Sequence, residues 1–253
     1  MKIEVLGSFG GQSVGCRTTC LVVEGTVALD AGSLSQALPV ERQQLVQSIV
    51  LSHSHMDHTT SLPFFVENVF GKLRDSVDVY ASPATIYAVR KHLFNNDVWP
   101  DFTRIPNHLL PALRFHELSD ETPIEIDGVR FTPIPVDHLV PTYGFLIEKG
   151  ETTFLWSSDT GPTKRLWEIA NQTPHLTALG LEVSFENSLQ PIADLSLHLT
   201  PQTVAAELRQ LKRKLPVLLH HLKPTSIDRI HEQIQALGNP DLDFLEQGKT
   251  YEF

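Results

Sequence analysis

The 253-residue chain contains no run of 18 or more apolar residues, which excludes a continuous apolar transmembrane helix. Cationic clusters are equally scarce: Lys212-Arg213-Lys214 is the sole run of three in a chain of formal charge −10. A long nucleic acid needs a basic track to neutralise its phosphates. Without one, a nucleic-acid partner is not expected, and a small anionic substrate is. The triplet follows a helical pattern, Val204 to Leu211, and reads as a solvated helix end. Cysteine is limited to Cys16 and Cys20, and Met1 to Gly7 enters a strand pattern directly, without signal-peptide organisation. A cytoplasmic compartment with reduced thiols is therefore expected, although the spacing leaves a disulfide open. Both thiols are expected beside the floor of the site, not as ligands. No linker, repeat or low-complexity segment appears, so residues 1–253 are expected to form one domain.

Apolar periodicity predicts strands at 2–7, 77–81, 143–147, 153–157, 177–183 and 217–219, with two more within 125–136. A hairpin over 19–24 and 26–30 turns at Glu24-Gly25, and Asp30-Ala31-Gly32 closes it. Helices are predicted at 40–48, 62–70, 83–94, 164–171, 201–215 and 227–237. Glycines 7, 10, 11 and 15 cluster after the first strand, but no Walker-type Lys-Ser/Thr follows them. A tight turn lining a pocket is the expectation.

The apolar run Ile49 to Leu51 predicts a buried strand leading into a turn that carries His53, His55, Asp57 and His58. Side chains of this kind, crowded together, repel when protonated and desolvate one another when buried. A divalent cation relieves both penalties. Alternation puts His53 and His55 on one side, for one ion, and leaves Asp57 and His58 past the bend for a second. His-x-His-x-Asp-His after a hydrophobic strand resembles the signature of the metallo-β-lactamase superfamily. The resemblance implies an α/β fold, a four-layer αββα sandwich, with a dinuclear metal site. In the superfamily's ligand order, His53, His55 and His138 would hold one ion, and Asp57, His58 and His221 the other, with Asp159 bridging. Each of His138, Asp159 and His221 follows a short apolar strand. Spacing alone leaves His220 and His221 open; the superfamily's last ligand corresponds to His221.

Two further polar residues stand out. Glu182 interrupts the apolar segment 178–183, and His198 precedes a helix with Thr200 as N-cap and Pro201 at its first position. A carboxylate can orient such an imidazole as a proton donor; a purely structural Glu–His hydrogen bond is the alternative. The loop 93–102 mixes aromatics with amides. It is either an aromatic cluster sealing the domain edge or a lid, with Phe94 and Trp99 stacking on a flat substrate and Asn95 reading base or sugar.

Ser-His-Ser-His-Met-Asp-His at 52–58, Phe-Asn-Asn-Asp-Val-Trp-Pro at 94–100 and Ser-Asp-Thr-Gly-Pro at 158–162 recur with Glu-Val-Ser-Phe-Glu-Asn at 182–187, His-Leu-Thr-Pro at 198–201 and His-Leu-Lys-Pro at 221–224. Together they resemble the class II cyclic-nucleotide phosphodiesterases of that superfamily. The Glu182/His198 pair is also similar to its counterpart in the tRNA 3′-end-processing endonucleases. The resemblance implies hydrolysis of a 3′,5′-cyclic nucleotide (cAMP or cGMP) to the 5′-monophosphate with two zinc ions, manganese or iron being alternatives. Asp57 would hold the attacking solvent, and His198, oriented by Glu182, would protonate the departing 3′ oxygen. Leu139 after His138 and Thr59-Thr60 after the metal loop depart from the family pattern. The competing readings are another small cyclic phosphate, a cyclic dinucleotide, an RNA 3′-end nuclease, and a non-enzymatic metal-dependent nucleotide sensor. A homodimer is expected by analogy with the superfamily.

Overall fold

The computed structural model describes residues 1–72 and 75–253. Its first strand, β1 (Lys2–Gly7), pairs antiparallel with β2 (Cys20–Val23), which pairs in turn with β3 (Val27–Leu29). Glu24 and Gly25, between β2 and β3, both take positive φ, 54° and 79°, as a type I′ turn requires. Crossovers then add β4 (Ser48–Val50), β5 (Val77–Ala81) and β6 (Leu113–Glu117), each parallel to the strand before it.

The second half repeats the plan. Strands β7 (Ile124–Ile126), β8 (Val129–Val136), β9 (Thr142–Lys149) and β10 (Thr152–Trp156) are antiparallel neighbours, and β11 (Leu176–Glu182), β12 (Val217–His220) and β13 (Leu242–Phe244) follow in parallel. The last strand, β14 (Thr250–Glu252), returns to the first sheet and sets Glu252 opposite Lys2. Among the described residues this gives two mixed seven-stranded sheets, β14-β1-β2-β3-β4-β5-β6 and β13-β12-β11-β10-β9-β8-β7.

Burial explains the layering. Val5, Leu29, Phe131, Phe145, Phe154 and Trp156 form the core between the sheets. Helices α1 (Leu34–Ala37), α2 (Val40–Gln43), α3 (Met56–Thr59), α4 (Leu62–Val69) and α5 (Pro83–His92) belong to the first half. Of these, α1, α4 and α5 pack Leu34, Phe65, Val66 and Val89 against the outer face of the first sheet. Helices α6 (Arg165–Gln172), α7 (Gln190–Ser196), α8 (Pro201–Glu207) and α9 (Ile227–Ala236) belong to the second, and Leu166, Trp167, Val204, Ile230 and Ile234 cover its outer face. The result is the expected αββα sandwich. None of the described helices is long and apolar enough to cross a membrane.

Two predicted helices are shorter than their patterns. The one expected at 40–48 is a single turn, because Ser48 is already paired in β4. The one expected at 201–215 ends at Glu207, whose carboxylate turns inward to accept from Trp167 Nε1 (2.7 Å) and the Thr163 amide (3.0 Å). The basic triplet is consequently not a helix end. Arg213 donates to the carbonyls of Asn171, Thr173 and Pro174, capping the carboxyl end of α6. Strands β6, β13 and β14 and helices α1, α3 and α7 had no counterpart in the sequence patterns. Cys16 and Cys20 are both free thiols, Cys20 buried in the core and Cys16 half-buried.

Topology places the chemistry. Two antiparallel steps make β8 run the same way as β10, and β11 and β12 follow β10 in parallel. His138, Asp159, Glu182 and His221 therefore all emerge at one edge, as do Asp30 and His53 from β3 and β4. Close packing sustains this geometry: a Cβ on Gly180 would stand 2.4 Å from the Trp156 ring. Gly180→Ala should destabilise by about 1–3 kcal/mol through overpacking, read by urea denaturation. An unchanged midpoint would contradict so close a contact.

A candidate two-metal centre

The backbone at the sheet edge is strained where the key residues leave it. Asp30, Ser158 and His221 adopt left-handed φ of 59°, 54° and 69°, at a cost of order 1–3 kcal/mol each for non-glycine residues. Two glycines make room beside them. A Cβ on Gly10 would come within 2.6 Å of the His221 ring, and one on Gly32 within 2.0 Å of the Asp57 carbonyl. The glycine-rich turn thus lines the site, as its sequence suggested.

Two clusters form. His53, His55, His138 and Asp159 bring their ligand atoms within 4.8 Å of one another, and so do Asp57, His58, Asp159 and His221. Asp159 belongs to both: its Oδ2 lies 3.7 Å from His53 Nε2, 3.3 Å from His58 Nε2 and 3.0 Å from His221 Nε2. Ring nitrogens also confront each other directly, His55 Nδ1 with His138 Nε2 at 3.2 Å and His58 Nε2 with His221 Nε2 at 3.4 Å.

Such contacts need a shared proton or a cation between them. The nitrogens facing away have partners of their own. His58 Nδ1–H donates to Asp30 Oδ2 (2.7 Å), His53 Nδ1–H to Ser52 Oγ (3.0 Å), His138 Nδ1–H to the Leu197 carbonyl (3.1 Å) and His221 Nδ1–H to Ser184 Oγ (2.9 Å). With those nitrogens committed outward, the Nε2 of each of these four is free to give its lone pair to a cation, the arrangement that metal-binding histidines adopt. His53 Nε2 and Asp159 Oδ1 are buried with no partner among the described residues, a costly state that a bound cation relieves. The donor set fits a pair of divalent ions.

His220 does not take part. It is buried, stacked on Trp156 at 3.7 Å, and its Nδ1 has no partner among the described residues. The strained φ at His221 turns the next side chain, not this one, into the centre.

The expected proton-donor pair is also assembled. His198 Nδ1 lies 2.7 Å from Glu182 Oε1, and its ring is 4.9 Å from that of His138 and 5.2 Å from that of His221. Glu182 is fully buried. Its carboxylate also accepts from the Thr160 and Leu199 amides (3.1 and 3.2 Å) and from Ser184 Oγ (3.0 Å). Lys223 Nζ stands 3.6 Å from Asp57 Oδ2, a cation on the wall of the second cluster.

The loop expected to contact substrate is a correction. Phe94 is 2% exposed and packs into the core beside Phe102, so its ring cannot stack on a ligand. Asn95 is spent on its own loop: Oδ1 accepts from the Asp97 and Val98 amides and Nδ2 donates to the Lys91 carbonyl. Trp99 is half-buried against the core, edge-on to Phe64 at 5.0 Å. This is the sealing cluster, the other of the two readings. Phe185, half-buried, sets its ring 5.8 Å from that of His198. Sequence reasoning assigned no role to Asp30, Ser52, Ser184 or Lys223, although Asp30 ends a buried hairpin strand and the other three lie within the motifs at 52–58, 182–187 and 221–224.

Comparison with known proteins agrees with this geometry. A family model described as "Beta-lactamase superfamily domain" matches residues 26–221. The chain belongs to the metallo-β-lactamase superfamily. Within that superfamily it is 28% identical to a probable 3′,5′-cyclic-nucleotide phosphodiesterase of Yersinia pestis, over 98% of this chain and 84% of that protein. It is 27% identical to a ribonuclease Z of Mycobacterium marinum, over 76% of this chain and 73% of that one. The crystal structure of unliganded yeast PDE1 superposes with a TM-score of 0.79 over 98% of each chain at 18% identity, a likeness of fold alone. As a superfamily member with this His/Asp centre, the chain is a metal-dependent hydrolase.

Electrostatics distinguish the two clusters. Burial lowers the pKa of His53, His55 and His138, the last to about 4. Burial also acts on His58 and His221, but Asp159, joined by Asp30 and Asp57 respectively, outweighs it and raises both. Burial would raise the carboxyl of Asp159; His221 and His58 override it and hold the group well below its usual range.

A ligand whose pKa is raised keeps its proton to higher pH, and an ion must displace that proton to bind. As pH falls from 7.5, metal at the Asp57/His58/His221 cluster should therefore leave first. The His53/His55/His138 ion should persist until the pH nears the range in which those histidines protonate. Metal content after dialysis at stepped pH should fall in two stages, the earlier one absent in His221→Ala. Loss of both ions at one pH would contradict the assignment.

Proposed function

We propose that the chain hydrolyses a 3′,5′-cyclic nucleotide to the 5′-monophosphate. The observation that carries this reading is His198. It is held at Nδ1 by a buried carboxylate, with its ring against those of His138 and His221, one from each cluster. That position suits protonation of an oxygen leaving from a phosphate bound at the centre.

His53, His55 and His138 would hold one ion and Asp57, His58 and His221 the other, with Asp159 shared between them. Bound there, two divalent ions (zinc in this reading, with manganese or iron as alternatives) would supply charge for the phosphate oxygens and lower the pKa of a water.

The remaining roles belong to side chains. Glu182, surrounded by four donors, accepts from His198 Nδ1–H and fixes that proton, leaving Nε2 to carry the proton given to the 3′ oxygen. Asp57, partly exposed beside His221, orients the attacking water. Lys223 adds a positive charge on the same wall, which favours entry of a phosphate into a protein of net negative charge.

The Yersinia pestis relative supports a cyclic nucleotide as the substrate. The ribonuclease Z relative supports a phosphodiester more generally, and an RNA 3′ end is the second reading. The formal charge of −10 favours the smaller anion.

The test is turnover of cAMP and cGMP by protein shown to hold two metal equivalents. Release of the 5′-monophosphate is expected. His198→Ala should lower kcat by about 10²–10⁴-fold, the usual contribution of general acid help, with metal content unchanged. Two-metal protein inert toward both cyclic nucleotides would sink the substrate; loss of metal in His198→Ala would sink the proton-donor role.

A further inference from the structure

The buried hydroxyl of Ser184 lies between the second cluster and the proton-donor pair. Its Oγ lies 2.9 Å from His221 Nδ1, 3.0 Å from Glu182 Oε2 and 3.2 Å from His198 Nδ1. A hydroxyl has one proton to give. Glu182 can only accept, and His198 Nδ1–H points to Glu182 Oε1 at the shorter distance of 2.7 Å. When His221 Nε2 presents its lone pair to a cation, its Nδ1 must carry the proton and donate to Ser184. The serine proton is then directed to Glu182 Oε2 at 3.0 Å, nearer and more strongly accepting than the His221 carbonyl at 3.3 Å.

We propose that Ser184 is a positioning residue that couples the second metal cluster to the proton donor, through the continuous path His221–Ser184–Glu182–His198. This rests on the reading of His198 as the proton donor. The backbone reinforces the coupling from the other side. His138 donates to the carbonyl of Leu197, the residue before His198, and Leu197 is itself held at a left-handed φ of 53°. The proton donor is thus tied to one ligand of each cluster, by a side-chain hydroxyl to His221 and by its own backbone to His138. Binding of metal would set the tautomer of His221, orient the Ser184 hydroxyl and complete the shell of donors around Glu182.

The test is Ser184→Ala, which removes one oxygen and nothing else, read in three ways. Thermal melting of the metal-free variant should stay near wild type. Competition titration with zinc should show the second equivalent bound about 10–100-fold more weakly, the usual effect of removing a group that orients a ligand, with the first little changed. At saturating metal, kcat on a cyclic nucleotide should fall with KM nearly constant. Hydrolysis of a p-nitrophenyl phosphodiester, whose leaving group departs as an anion without a proton, should fall much less.

Wild-type affinity for both equivalents would overturn the proposal, and so would an equal loss of kcat on the two substrates. If cyclic nucleotides are not turned over at all, the substrate assignment fails, and the zinc titration still decides the role of Ser184.

Discussion

One carboxylate oxygen holds the site together. Asp159 Oδ2 has three imidazole nitrogens within 3.7 Å, from His53, His58 and His221, and the residue is 1% exposed. A buried carboxylate is tolerated only when opposite charge and hydrogen-bond donors surround it. Here those groups come from two halves: His53 from the loop after β4 and His58 from the short helix α3 that follows it, His221 from the end of β12. The demand of that single oxygen therefore fixes how the two halves of the sandwich meet at their common edge. Without a cation, the imidazoles satisfy it by holding protons, which is why the pKa values of His58 and His221 are raised. With one, they give their lone pairs to the ion instead.

The groups behind the ligands follow the same constraint. An imidazole can aim Nε2 at the centre reliably only if Nδ1 is committed elsewhere. Asp30, Ser52, Ser184 and the Leu197 carbonyl make that commitment for His58, His53, His221 and His138. Left-handed backbone at Asp30, Ser158 and His221 turns these side chains inward from strand ends, and Gly10 and Gly32 leave the space the turn needs. Strain and precise placement occur together, as they do where a fold holds reactive groups against their local preference.

Legibility in the sequence tracked the range of the interaction. Residues 53–58 crowd several metal-binding side chains into one loop and could be read locally. The hairpin at Glu24-Gly25 and the apolar strands were equally plain, because short apolar runs and positive-φ turns leave marks within a few residues. His138, Asp159 and His221 became readable only through the superfamily's order, since each alone is an ordinary polar residue at a strand end. Ser184 and Lys223 stood inside motifs that carry the resemblance but gave no hint of a role, because their importance lies in partners that the fold, not the chain, brings near. The loop 93–102 misled for the opposite reason. Its aromatics suggested a ligand platform, but Phe94 fills the core and Asn95 closes its own turn. The short strands β13 and β14 pair at sheet edges with too few residues to show a period.

The most direct measurement is the zinc-binding isotherm of Asp159→Asn beside that of the unmodified chain. The substitution keeps the shape of the side chain and removes its charge. If one carboxylate serves both clusters, the affinities of both equivalents should fall together, even though each cluster keeps all its other ligands. Two zinc ions bound with unaltered affinities would contradict the shared role of Asp159 and the account built on it.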